Sequence, residues 1–147
     1  MTNILFAYLD KSNIPTRESW QHSINELNFG VALKLPTDLE VLTDGAICKC
    51  MLSTNKTNEE QFELYNGKVE WNEESDKYKY MELAGKRDYY FMLKSHGTVG
   101  SNVCMCMVCY ALLIGFDAVI SYDGIDTNAY SSLEKTTRDL LVKYENA

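Results

Sequence analysis

The chain has 147 residues, of which 46% are apolar and 12% aromatic, with only two prolines and a formal charge of −7. That is the length of one ordinary domain, 1–147, too rich in core-forming side chains to be disordered and long enough to fold without disulfides or metals. The acidic balance excludes non-specific binding to nucleic acid or to an anionic membrane surface, both of which need a basic footprint.

Residues 3–9 form a short continuous apolar run, as in a buried strand. They lack the basic flank and small-residue cleavage site of a secretion signal. Asn13-Ile14-Pro15-Thr16 punctuates the chain, and Thr16 is suited to cap a helix over 17–27 whose apolar stripe is Trp20, Ile24 and Leu27. Residues 31–35 alternate as a strand does, and 36–45 is a connection that closes on Asp44-Gly45. Residues 46–53 read as a strand, 54–60 as a polar turn, and 61–65 as the second strand of a hairpin. Asn66-Gly67 predicts a tight turn into a further strand at 68–71, followed by a charged loop at 72–79.

A short helix at 80–85 and a strand at 88–93 come next. Residues 103–116 are apolar on every side and predict a helix buried at the centre of the domain, its uncharged run of 103–114 too short to span a bilayer. A strand at 117–122, a turn at Asp123-Gly124 and an amphipathic helix over 131–144 close the chain. In that last helix Leu133, Leu140, Leu141 and Tyr144 face inward, and Ser131 with Glu134 forms a capping box. The expected fold class is α+β: a single mixed, largely antiparallel sheet with strand-helix-strand units at both ends, 3–35 and 88–122, and a buried apolar helix.

The functional signal is concentrated in residues 59–82. Eight carboxylates (Glu59, Glu60, Glu63, Glu70, Glu73, Glu74, Asp76 and Glu82) stand against Lys68, Lys77 and Lys79, so this stretch supplies −5 of the −7. Tyr65, Trp71, Tyr78 and Tyr80 are interleaved with them. Carboxylates steer a basic partner and aromatic anchors hold it, so the segment predicts a protein-binding surface. Its expected contact residues are Glu59, Glu60, Glu63, Tyr65, Glu70, Trp71, Glu73, Glu74, Asp76, Tyr78 and Tyr80. The same aromatic surface would also serve a homo-oligomer.

No catalytic motif of similar strength occurs, and no cofactor or metal is expected. Cys48, Cys50, Cys104, Cys106 and Cys109 lie in apolar segments, as free core thiols do in a reducing compartment, although Cys48, Cys50, Cys106 and Cys109 could in principle gather around zinc. His22 reads as an exposed helix residue. The alternative function is a small enzyme or ligand-binding domain built on the glycine-bearing turn His96-Gly97-Thr98-Val99-Gly100-Ser101-Asn102. There, backbone N–H groups at the start of a helix capped by Ser101 would hold an anion. The turn matches neither the P-loop nor the dinucleotide fingerprint.

Pro15-Thr16, Trp20, Ile24, Phe29-Gly30 and, later, Gly85-Lys86-Arg87-Asp88-Tyr89 before a strand and an apolar helix resemble a family of small acidic bacterial immunity proteins. Such genes are paired with polymorphic or contact-dependent toxins. The resemblance implies a cytoplasmic binding protein without catalytic residues, whose partner is a cognate toxin domain, expected to be a nuclease with a basic surface. An acidic face would imitate the charge of that toxin's nucleic-acid substrate.

Overall fold

The computed structural model describes residues 3–69, 87–122 and 129–146. Six strands form one sheet: β1 (Ile4–Leu9), β2 (Ala32–Lys34), β3 (Ala46–Ser53), β4 (Thr57–Lys68), β5 (Tyr89–Ser95) and β6 (Val119–Tyr122), in the order β2-β3-β4-β5-β1-β6. Three α-helices are described: α1 (Arg17–Asn25), α2 (Val99–Phe116) and α3 (Ala129–Glu145). The α+β class and the largely antiparallel sheet read from the sequence are what the chain forms, and each described pair of neighbouring strands is antiparallel. The parallel relationships lie between strands that do not touch. β5 and β6 run parallel with β1 inserted between them, and α2 makes the crossover.

Alternation sorts the sheet into two faces. Leu5, Ala7 and Leu9 of β1, Cys48, Cys50 and Leu52 of β3, Phe62 and Leu64 of β4, and Phe91 and Leu93 of β5 are fully buried toward the helices. α2 packs on this face, and α1 and α3 both pack against α2. The helix is long and apolar enough to cross a membrane, but most of it is buried inside the domain. Trp20 of α1 fixes one of these contacts: its ring sits 5.3 Å from Phe91, and its indole N–H donates to the Val108 carbonyl at 3.0 Å.

Four local readings are corrected. Asn66-Gly67 is not a turn, because both residues continue β4 opposite Phe91 and Tyr90. Asn66 is held by its neighbours, accepting a hydrogen bond from the Tyr89 hydroxyl and donating its backbone N–H to Asp44 Oδ1. Gly67 lies beneath the Tyr90 ring, where a Cβ would come within 2.9 Å of ring carbon. The polar turn expected at 54–60 shrinks to residues 54–56, since Thr57 already pairs with Ser53. α2 begins at Val99 with Thr98 as its cap, because the Thr98 hydroxyl accepts from Ser101 N–H at 3.1 Å. α3 begins at Ala129, two residues before the expected Ser131 cap.

Several described residues among those that carried the family resemblance make local fold contacts. Thr16 and Ser19 form a reciprocal capping box at the start of α1. Arg87 donates to the carbonyl of Asp117 at 2.9 Å and pairs with its carboxylate at 3.3 Å, a cation at the C-terminus of α2 where the helix dipole favours one. Asp88 accepts the Lys11 N–H at 2.7 Å.

A candidate protein-binding face

β4 is the strand that places the expected acidic residues, and its alternation divides them. Phe62 and Leu64 are buried toward the helices, so Glu60 points that way as well, whereas Glu59, Gln61, Glu63 and Tyr65 point to the other side. Across the ladder, Glu63 stands between Ile47 and Lys94, and Glu59 stands beside Met51. Ile47 is 54% exposed and Met51 39% exposed, so this side of β3 and β4 presents large apolar groups together with Glu59, Glu63 and Tyr65. Toward β1 the same face turns aromatic: the rings of Phe6 and Tyr8 stack at 6.0 Å, with Tyr90 6.2 Å from Phe6.

Glu63 is the most constrained carboxylate on this face. The Tyr65 hydroxyl donates to its Oε1 at 2.6 Å, and His96 Nε2 lies 3.4 Å from its Oε2. The Tyr65 hydrogen bond, then Lys94 and His96, hold the Glu63 carboxyl below its ordinary range, while the same bond pushes the Tyr65 phenol up. The two places singled out in the sequence, the acidic segment and the His96 turn, therefore meet at one side chain. The charge is mixed: Lys49 and Lys94 project on the same side as Glu59 and Glu63. Glu70, Trp71, Glu73, Glu74, Asp76, Tyr78 and Tyr80 lie outside the described residues.

Glu60 has a different role. Its carboxylate accepts the Tyr144 hydroxyl at 3.1 Å, and Asn58 Nδ2 donates to that same hydroxyl at 3.0 Å, fastening the end of α3 to β4. It also packs against Gly100 in the first turn of α2, where a Cβ would overlap the carboxylate. An anion is favoured beside a helix N-terminus, and here the chain supplies its own. The neighbouring amides are engaged too. His96 N–H donates to the Ser101 hydroxyl at 2.8 Å, Gly97 N–H to Ser95 Oγ at 3.3 Å, and Asn102 N–H to the Thr98 carbonyl at 3.0 Å.

Gly100→Ala is accordingly expected to displace Glu60 and lower stability by about 1–3 kcal/mol, the usual cost of overpacking. Adding Glu60→Ala should cost less than the two single changes summed, because the clash disappears. Denaturant unfolding of the four proteins checks this, and strict additivity would contradict the contact.

All five cysteines are free and buried. Burial pushes the Cys48 and Cys106 thiols up to about 12, and it raises Cys50, Cys104 and Cys109 as well. No group of three or more His, Cys, Asp or Glu gathers in a metal-binding arrangement among the described residues.

His22 is exposed, 3.9 Å from Glu26 on α1. Ile47 and Met51 were not singled out in the sequence, although a signal was present. Residues 47–52 are apolar at positions on both faces of the strand, which asks for a contact on each side. No family model, curated protein or solved structure matches the chain.

Proposed function

We propose that the chain binds a basic partner protein across the β3–β4 side of the sheet that faces away from the helices, as a cytoplasmic immunity protein that neutralises a cognate toxin domain. The observation that carries this reading is the exposure of Ile47 and Met51 beside Glu59, Glu63 and Tyr65, since apolar anchors rimmed by charge are how interfaces combine burial with steering. The toxin assignment draws on the resemblance of the sequence to small acidic immunity proteins and on the chain's charge of −7. Glu70, Trp71, Glu73, Glu74, Asp76, Tyr78 and Tyr80 directly follow β4 in the chain and belong to the same proposed surface. Occlusion of a toxin's active face requires no catalytic group and no cofactor of the inhibitor's own. The alternative, an anionic ligand held at the start of α2, is opposed by Glu60, which already stands there, and by the engaged amides of His96, Gly97 and Asn102.

The Glu59→Gln/Glu63→Gln variant is expected to associate with the partner roughly 3–10-fold more slowly at low salt and to show a flatter dependence of on-rate on ionic strength, with a smaller change in off-rate. Stopped-flow or surface-based kinetics at several salt concentrations would show it. An unchanged on-rate and salt slope would remove these two carboxylates from the interface.

A further inference from the structure

The sheet has an incomplete edge. Val69 N–H donates to the Asp88 carbonyl at 2.8 Å, extending the β4–β5 ladder, so the odd-numbered residues of β4 bond to β5 and its even-numbered residues to β3. The even-numbered residues of β3 face β4 in turn, and Ile47, Lys49 and Met51 direct their backbone N–H and C=O groups outward, toward β2. β2 reaches only Met51, through Lys34. The next position of that register would set Pro36 against Lys49, and Pro36 has no N–H to donate. Its carbonyl is also taken, accepting from Arg17 Nε at 3.0 Å, while Gln21 and Arg17 hold the N–H and C=O of Leu35 at 2.7 Å each. The β2–β3 ladder thus stops before Pro36, and the outward backbone groups of Ile47 and Lys49 have no strand partner among the described residues.

A groove runs beside this stretch, lined by Pro36, Asp38, Leu39, Glu40 and Ile47 among others. The charged groups lining it are both acidic, and Leu39 and Ile47 offer apolar contact. We infer that this edge accepts an extended segment of a partner protein, added to the sheet as a strand outside β3, with lysine or arginine toward Asp38 and Glu40 and apolar side chains toward Ile47. A second copy of the chain fits less well, because it would bring Asp38 and Glu40 against acidic groups of another molecule charged −7. The inference deepens the proposed function, since Ile47 belongs to both surfaces, but it concerns backbone pairing at the edge and not side chains on the face.

The test uses a synthetic heptapeptide of alternating lysine and valine, the same peptide with glutamate for lysine, and the lysine peptide N-methylated at alternate residues to block strand pairing. Each is titrated into isotope-labelled full-length chain. The expected result is that the lysine peptide shifts the Ile47 and Lys49 amides and slows their hydrogen exchange at least 5-fold, that the other two peptides do neither, and that Asp38→Asn/Glu40→Gln weakens the effect at least 3-fold. Equal action by the N-methylated peptide, or protection of Ile47 and Lys49 that grows with protein concentration alone, would overturn the inference. Shifts confined to Glu59, Glu63 and Tyr65 would also overturn it while leaving the proposed binding face standing. The converse failure, an edge that takes the lysine peptide in a protein whose Glu59→Gln/Glu63→Gln variant associates normally, would leave the edge and remove the face.

Discussion

Met107→Asp is expected to yield no folded protein. Met107 is 1% exposed in the middle of α2, the helix against which the sheet, α1 and α3 all pack. A carboxylate there would be desolvated without a partner, at a cost of several kcal/mol, against a total stability of about 5–15 kcal/mol for a domain of this kind. Ile114→Asp on the same helix is the control. Ile114 is 60% exposed, so that change should alter stability by no more than about 1 kcal/mol. Circular dichroism and denaturant unfolding of the two variants separate a buried helix from a surface one, and a native-like, cooperative Met107→Asp protein would contradict the core described above.

The second large effect is alkaline unfolding driven by the five buried thiols. Burial raises their native pKa above the ordinary 9.0, to about 12 for Cys48 and Cys106. Above pH 9 the unfolded chain ionises its cysteines while the native chain keeps their protons. The unfolded state then binds fewer protons, so stability is fully present below pH 9 and falls as pH rises toward 12. Each thiol contributes about 1.4 kcal/mol per pH unit in that window, so five thiols remove roughly 10 kcal/mol by about pH 10.5. That is comparable with the whole stability of a domain, and a midpoint of unfolding between about pH 9.7 and 11 follows. The phenols of Tyr89, Tyr110 and Tyr144, raised chiefly by burial, act in the same direction.

The slope of stability against pH, measured with reductant present, is the informative quantity, because a cavity lowers stability equally at every pH. Cys48→Ala/Cys106→Ala should reduce the slope between about pH 9.5 and 10.5 by about two protons of the five. A stability that stays flat to about pH 11 would contradict the burial of these thiols.

The elements with one clear period are legible in the amino-acid sequence. β3 has the boundaries its pattern predicts, β1 and α1 agree within two residues, and α2 is the buried helix expected, because each has a strong apolar pattern and a distinct stop. The misread places are those where a local signal meets a tertiary one. Asn66-Gly67 has the composition of a hairpin turn, but the Tyr90 ring needs a residue without a side chain beneath it, and Asn66 bridges Tyr89 and Asp44.

Gly100 resembles part of a flexible anion-binding turn, while its use is to admit the Glu60 carboxylate. The acidic segment looks uniform when the turn is placed too far along the chain. Once Thr57 begins β4, alternation sends Glu60 to Tyr144 and leaves Glu59 and Glu63 on the opposite face. The bare edge at Ile47 and Lys49 is also written locally, in Pro36 and in the Arg17 and Gln21 side chains, but it depends on a strand register that no single segment discloses.

The function proposed for this chain turns on β3 and β4 forming the partner surface on the side away from the helices. Amide hydrogen exchange of the chain, free and bound to the proposed basic partner protein, bears on this without an intermediate step. Added protection should concentrate in Ala46–Ser53 and Thr57–Lys68, with α1 and the exposed end of α2 around Ile114 unchanged. Protection confined to α1 and α2, or a partner that binds while β3 and β4 exchange as they do in the free chain, would refute that surface.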